Sequence, residues 1–78
     1  MDVEIKFDYD SIELARAILN GTAPDNSLVP EGQSITEKQI FSSLYVSFSG
    51  GVTESFLYSI EDFFDKEELC LAVIRAVP

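Results

Sequence analysis

The residues with chemical potential crowd the last third of the chain, where Glu61, Asp62, Asp65, Glu67 and Glu68 fall within eight positions. Paired carboxyl groups can divide acid and base roles when their surroundings push their pKa values apart. Here they interleave with Phe56, Leu57, Ile60, Phe63 and Phe64, which repeat at helical spacing, so most of the carboxylates read as the solvated face of an amphipathic helix. The sequence contains no histidine, which excludes Ser-His and Cys-His nucleophilic systems and zinc sites of the usual Cys/His kind. Cys70 stands alone in an apolar helical run with no cation beside it, the setting of a small core or interface residue and not of an activated thiol. The acidic run lacks the alternating oxygen ligands around a glycine that a calcium loop requires. Gly50-Gly51 lacks the lysine and further glycines of a phosphate-binding loop and reads as a strand-to-helix connection. Tyr9, Tyr45 and Tyr58 could stack nucleic-acid bases, but the basic residues that accompany such platforms are missing, so they read as rim tyrosines with wet hydroxyls. No catalytic residue, cofactor or metal ligand is expected.

Charge and size narrow the partners. Fourteen acidic residues oppose five basic ones, a net charge of -9, and Lys6, Arg16, Lys38, Lys66 and Arg75 are too few and too scattered to neutralise a phosphate backbone. Seventy-eight residues support one thin core, so a single domain over 1–78 that gains stability from a partner or a second copy is the expectation. The apolar share of 46% is that of a folding chain. The longest apolar run, Leu69 to Ile74, is far short of a membrane span, and the acidic start does not resemble a signal peptide. With its single cysteine, this reads as a soluble cytoplasmic protein without a membrane partner.

The elements that must position these residues follow from two periods. Val3, Ile5, Phe7 and Tyr9 alternate with Asp2, Glu4, Lys6 and Asp8, the mark of a half-buried strand. Ser11 as N-cap, Glu13 in the first turn, and Ile12, Ala15, Ile18 and Leu19 predict a helix over Ser11 to Asn20 that stops at a left-handed Gly21. Thr22 to Gly32 reads as an exposed, mobile connection. Gln33 to Phe41 and the alternating run through Leu44, Val46 and Phe48 form a hairpin turning at Ser42-Ser43. A second helix is predicted over Thr53 to Ala76, with Thr53 as N-cap. If it is unbroken, its buried stripe takes in Glu67, a costly carboxylate; the alternative is a kink near Asp65. The order strand, helix, strand, strand, helix predicts an α+β fold, a three-stranded antiparallel-type sheet with two helices on one face. The other face and an edge are left to pair with another molecule.

This order, the opening Val3-Glu4-Ile5-Lys6-Phe7, the helix Glu13 to Leu19 followed by Pro24-Asp25-Asn26, the hairpin at Ser34 to Ser49 and the long last helix resemble the small dimerisation subunit of the KEOPS complex. That assembly makes threonylcarbamoyladenosine in tRNA in archaea and eukaryotes. The resemblance implies a non-enzymatic subunit that docks its helices on the catalytic threonylcarbamoyltransferase subunit, pairs its sheet with itself or a homologous small subunit, and meets tRNA only indirectly. Members carry basic residues near the start of the last helix, where this chain has Glu54-Ser55-Phe56-Leu57, so the resemblance extends to an acidic paralogue that pairs with an ordinary small subunit. Leu69, Val73 and Ala76, off the main stripe of the helix, and Tyr45, on the sheet face opposite Leu44 and Val46, are the expected partner-contacting residues. The competing reading is a KH-like RNA-binding module or another small interaction domain. It is opposed by the charge and by the absence of a GXXG loop.

Overall fold

The computed structural model describes residues 2–50 and 53–76, so the Gly51 half of the expected Gly50-Gly51 stop and the Thr53 side-chain cap lie outside it. Its elements are β1 (Asp2–Asp8), α1 (Ile12–Thr22), a short 3-10 helix (Ala23–Ser27), β2 (Gln33–Ile40), β3 (Ser43–Gly50) and α2 (Thr53–Ala76). The strands form one antiparallel sheet in the order β1-β3-β2. Both helices lie on one face of it, which is the α+β arrangement the sequence predicts.

The inward rows of the sheet run straight across the three strands: Val3, Phe48 and Ile35; Ile5, Val46 and Glu37; Phe7, Leu44 and Gln39. Leu44, Val46 and Phe48 of the central strand join Ile18, Phe56 and Phe63 in the buried core. Phe63 anchors α2 by meeting Phe48 edge-on at a centroid distance of 5.6 Å and Phe7 at 5.9 Å. The outward rows are polar, and Ser47 and Ser49 of β3 donate to Glu4 and Asp2 of β1.

Ser11 caps α1, its hydroxyl accepting the Leu14 N–H at 3.1 Å. The helix then runs two residues past the expected Asn20 stop, and its C-cap Ala23 keeps helical angles, so the chain passes directly into the 3-10 helix. Gly21 is helical, not left-handed. Its role is close approach, because a Cβ there would sit 2.5 Å from the Cys70 sulfur of α2. The connection expected to be mobile is held in place: Asn26 Nδ2 donates to Glu37 at 2.6 Å and the buried Thr22 hydroxyl donates to the same carboxylate at 2.8 Å. The hairpin turns one residue earlier than Ser42-Ser43, at Phe41-Ser42. Phe41 has φ +53° and is 78% exposed, a left-handed backbone without a buried side chain to compensate it.

α2 is a single helix of 24 residues with no break at Asp65. At 1.5 Å per residue it is about 36 Å long and accounts for the 41 Å long dimension of the molecule. Its continuity places Glu67 on the buried side, only 7% exposed, and there the Tyr9 hydroxyl donates to Glu67 Oε2 at 2.6 Å. The expectation that tyrosine hydroxyls stay wet fails at Tyr9, while Glu67 is buried as an unbroken helix requires. Tyr9 and Glu67 satisfy each other between the sheet end and the helix, and burial raises the phenol pKa well above its usual value, keeping it a donor. Glu37 sits half-buried on the helix side of the sheet, where burial raises its pKa above the ordinary 4.5 while the Asn26 and Thr22 hydrogen bonds pull it down. The expected stripe of α2 also narrows, since Phe56 and Phe63 are buried and Ile60 is partly so, but Leu57 is 52% and Phe64 38% exposed. The helix presents a face centred between Phe56, Phe63 and Glu67, and Leu57 and Phe64 lie at its margin.

Three outcomes follow from these contacts. Tyr9→Phe leaves a buried carboxylate without its donor and should cost about 1–3 kcal/mol in denaturant unfolding, most of it recovered when Glu67→Leu is added. Phe41→Asn, which tolerates the left-handed region, should raise stability by about 0.5–1 kcal/mol in the same assay. Between the ordinary and the raised Glu37 pKa the folded state binds more protons than the unfolded one, so this group's contribution to stability falls as pH rises through that window. Unfolding of the native chain and of Glu37→Gln across pH 4–8 should therefore show a gap in favour of the variant that opens above pH 4.5 and then levels off.

Candidate protein-interaction surface

The two edges of the sheet differ in chemistry. β2 turns the charged Glu37 and the polar Gln39 inward, and the 3-10 helix lies against it through the Asn26 bond. An inward charge and a covering segment protect an edge strand from further pairing. β1 has neither device. Its inward residues Val3, Ile5 and Phe7 are apolar, and its outer row of Asp2, Glu4, Lys6 and Asp8 holds a surface ion pair between Lys6 and Asp8 at 3.5 Å. Its far side is free of any strand partner among the described residues.

Beside this open edge runs an exposed apolar margin of α2. Phe64 packs on Phe7 of β1 at a ring distance of 5.5 Å while staying 38% exposed, and Leu57, seven residues earlier and so on the same side of the helix, is 52% exposed. The open backbone and the apolar margin adjoin, so a strand added to β1 would cover both. Sequence reasoning assigned Leu57 and Phe64 to the packing stripe, because a stripe of that width does not reveal which margin the sheet leaves uncovered.

The expected contact residues fall in two places. Leu69 is 67% and Val73 56% exposed, and with the exposed Ala76 they line one flank of the C-terminal half of α2. Tyr45 is on the opposite, polar face of the sheet, half-buried, with the Lys6 ammonium 5.9 Å from its ring centre. It shares no surface with the other three. A further apolar group, Ile12, Ile40 and Phe41, is exposed at the hairpin end, where the Gln39 amide donates to the carbonyls of both Ile12 and Phe41. Ile35 and Ile40 both belong to β2, but an odd separation puts them on opposite faces, and only Ile35 packs inward.

Among the described residues no three His, Cys, Asp or Glu side chains converge as a set able to hold a metal, and no helix is long and apolar enough to cross a membrane. Cys70, partly buried, has its thiol pKa raised by burial and then by the nearby Glu67, which leaves the sulfur protonated and a poor nucleophile.

No protein-family model matches the chain, and no curated protein sequence matches it. Among solved structures, a chain of the Gon7–Pcc1 binary complex superimposes with a TM-score of 0.87, spanning 100% of this chain and 96% of that one at 13% sequence identity. The likeness covers the whole length of this chain, from β1 through α2. The chain therefore shares the fold of that chain of the Gon7–Pcc1 complex.

Proposed function

We propose that the chain is a non-catalytic small subunit of KEOPS type, supporting threonylcarbamoyladenosine formation in tRNA by joining proteins and not by acting on substrate. The observation that carries this reading is the full-length likeness to a chain of a complex between two small proteins, Gon7 and Pcc1. The open β1 edge and its flanking Leu57 and Phe64 support pairing with a second small subunit, this chain or a homologue. Leu69, Val73 and Ala76 form a separate apolar flank suited to a larger partner, the catalytic threonylcarbamoyltransferase subunit. The net charge of -9 favours a less acidic homologue over a second copy, since two such chains repel over a Debye length of about 30 Å at low salt and about 8 Å near 0.15 M. The KH-like reading is disfavoured by the same charge and by the acidic row on the uncovered sheet face.

Light scattering coupled to size exclusion, at 0.01 M and 0.15 M salt, checks the pairing. The expected result is a dimer that tightens with salt, or a heterodimer with a less acidic small subunit, weakened about tenfold or more by Leu57→Glu because the charge is desolvated at the interface. Co-purification with the catalytic subunit should survive Leu57→Glu and fail with Leu69→Asp/Val73→Asp. A strictly monomeric chain at both salts, even when mixed with the homologue, defeats the pairing, and absence of any complex with the catalytic subunit at micromolar concentration defeats the docking.

A further inference from the structure

On the other side of α2 from the β1 edge, the chain leading into β2 stands away from the helix and leaves a groove of about 630 Å³. Its floor is apolar, made by Ile35 of β2 and the buried ring of Phe63. Its rims are Leu28, 77% exposed on the connection, and Tyr58, 71% exposed on α2. This volume falls within the range of about 300–1,000 Å³ typical of clefts that take a ligand or an anchoring side chain. Large apolar groups left this exposed on both rims and aimed over one cleft form an uncovered patch, where scattered surface leucines would not.

The charge of the lining selects the occupant. Asp25, Glu54 and Asp62 contribute three carboxylates and Lys66 the one ammonium. That ammonium is already engaged, lying 2.8 Å from Asp62 and 3.8 Å from Asp25, so it closes one end of the groove by linking the two walls. Glu54 makes no ion pair among the described residues. An anion entering here meets net negative charge, and a purely apolar ligand strips water from carboxylates without replacing it. A cation on an apolar stem satisfies both requirements, its stem against Ile35 and Leu28 and its head toward Glu54. Arginine fits better than lysine, because a planar, weakly hydrated guanidinium can stack on the exposed Tyr58 ring while donating to a carboxylate in its own plane. We infer that this groove binds an arginine-bearing, otherwise apolar peptide segment of a partner protein. The negative field of the whole chain would speed its capture.

The groove shares no residue with the β1 edge or with Leu69, Val73 and Ala76, so its test is independent of the pairing and docking described above. The full chain, labelled with 15N, is titrated at 0.15 M salt with acetyl-Leu-Arg-Leu-Arg-Leu-amide and with the same peptide carrying Lys or Glu in place of Arg. Saturable amide shifts are expected at Leu28, Val29, Ile35, Tyr58 and Ser59, with binding of the Lys peptide weaker by about threefold and none by the Glu peptide. Tyr58→Ala and Glu54→Gln, both at exposed positions, should each weaken the Arg peptide by about fivefold or more while leaving the unfolding midpoint unchanged. Shifts centred on Asp2, Glu4 and Asp8 overturn the inference, as does equal binding of the Arg and Glu peptides or a response that does not saturate. Retained affinity in Tyr58→Ala removes the stacking role and with it the preference for arginine.

Discussion

A long helix can cross a small sheet without a break only if every polar group on its buried side finds a partner, and in this protein that condition rests on Tyr9 and Glu67. The hydrogen bond between them joins the end of the first strand to the middle of the last helix across 58 residues of sequence. With Glu67 satisfied, α2 continues past Asp65, carries Cys70 onto Gly21 of α1, and extends the exposed flank of Leu69, Val73 and Ala76 beyond the sheet. Without that partner the buried carboxylate would stand unsatisfied against the same face that carries the Phe63 contacts with Phe7 and Phe48. The long helix that sets the 41 Å dimension of the molecule thus carries its one buried carboxylate, among the described residues of α2, with a donor supplied.

The second polar tie, at Glu37, works at the opposite edge of the sheet, on the same helix-covered face. Thr22 and Asn26 converge on its carboxylate from the end of α1 and from the 3-10 helix, so the connection into β2 is anchored where its composition suggested freedom. The same inward charge makes β2 a poor edge for further pairing and leaves β1 as the open one. The asymmetry of the sheet therefore arises from a single residue choice.

The elements were legible because their periods are strong. The alternation in β1 and β3, the Ser11 cap and the apolar repeat of α2 each state a local preference that the packing also satisfies. What was not legible is tertiary. Glu67 was visible as a cost, but its partner Tyr9 lies at the other end of the sequence. Gly21 reads as a helix stop on local grounds and is retained as a helical residue by the sulfur it must admit. The exposure of Leu57 and Phe64 depends on which margin of the helix the sheet covers, a question of crossing geometry that composition does not contain. Of the residues expected to meet a partner, Leu69 and Val73 are exposed on one flank of α2, whereas Tyr45 belongs to a different face, a separation set by the packing of helix on sheet.

The position of β1 has a kinetic meaning. The β2–β3 hairpin closes through two residues, whereas β1 reaches β3 only by bringing Asp8 to Ser43 and Asp2 to Ser49, so its pairing must close a loop of tens of residues. Closing the local hairpin costs less entropy than closing the longer loop, so β1 is expected to add to a hairpin already formed. Until it does, the central strand is itself an edge, bearing Leu44, Val46 and Phe48 toward any extended segment of matching pattern. The slot that β1 fills can also take the β1 of a second chain, since the register is set by β1's own residues, by the alternation of Val3, Ile5 and Phe7 and by the Tyr9 bonds to Ser42 and Glu67. During synthesis and refolding, concentration thus selects between a strand folded back on its own chain and one exchanged with a neighbour, through contacts that are the same in either case.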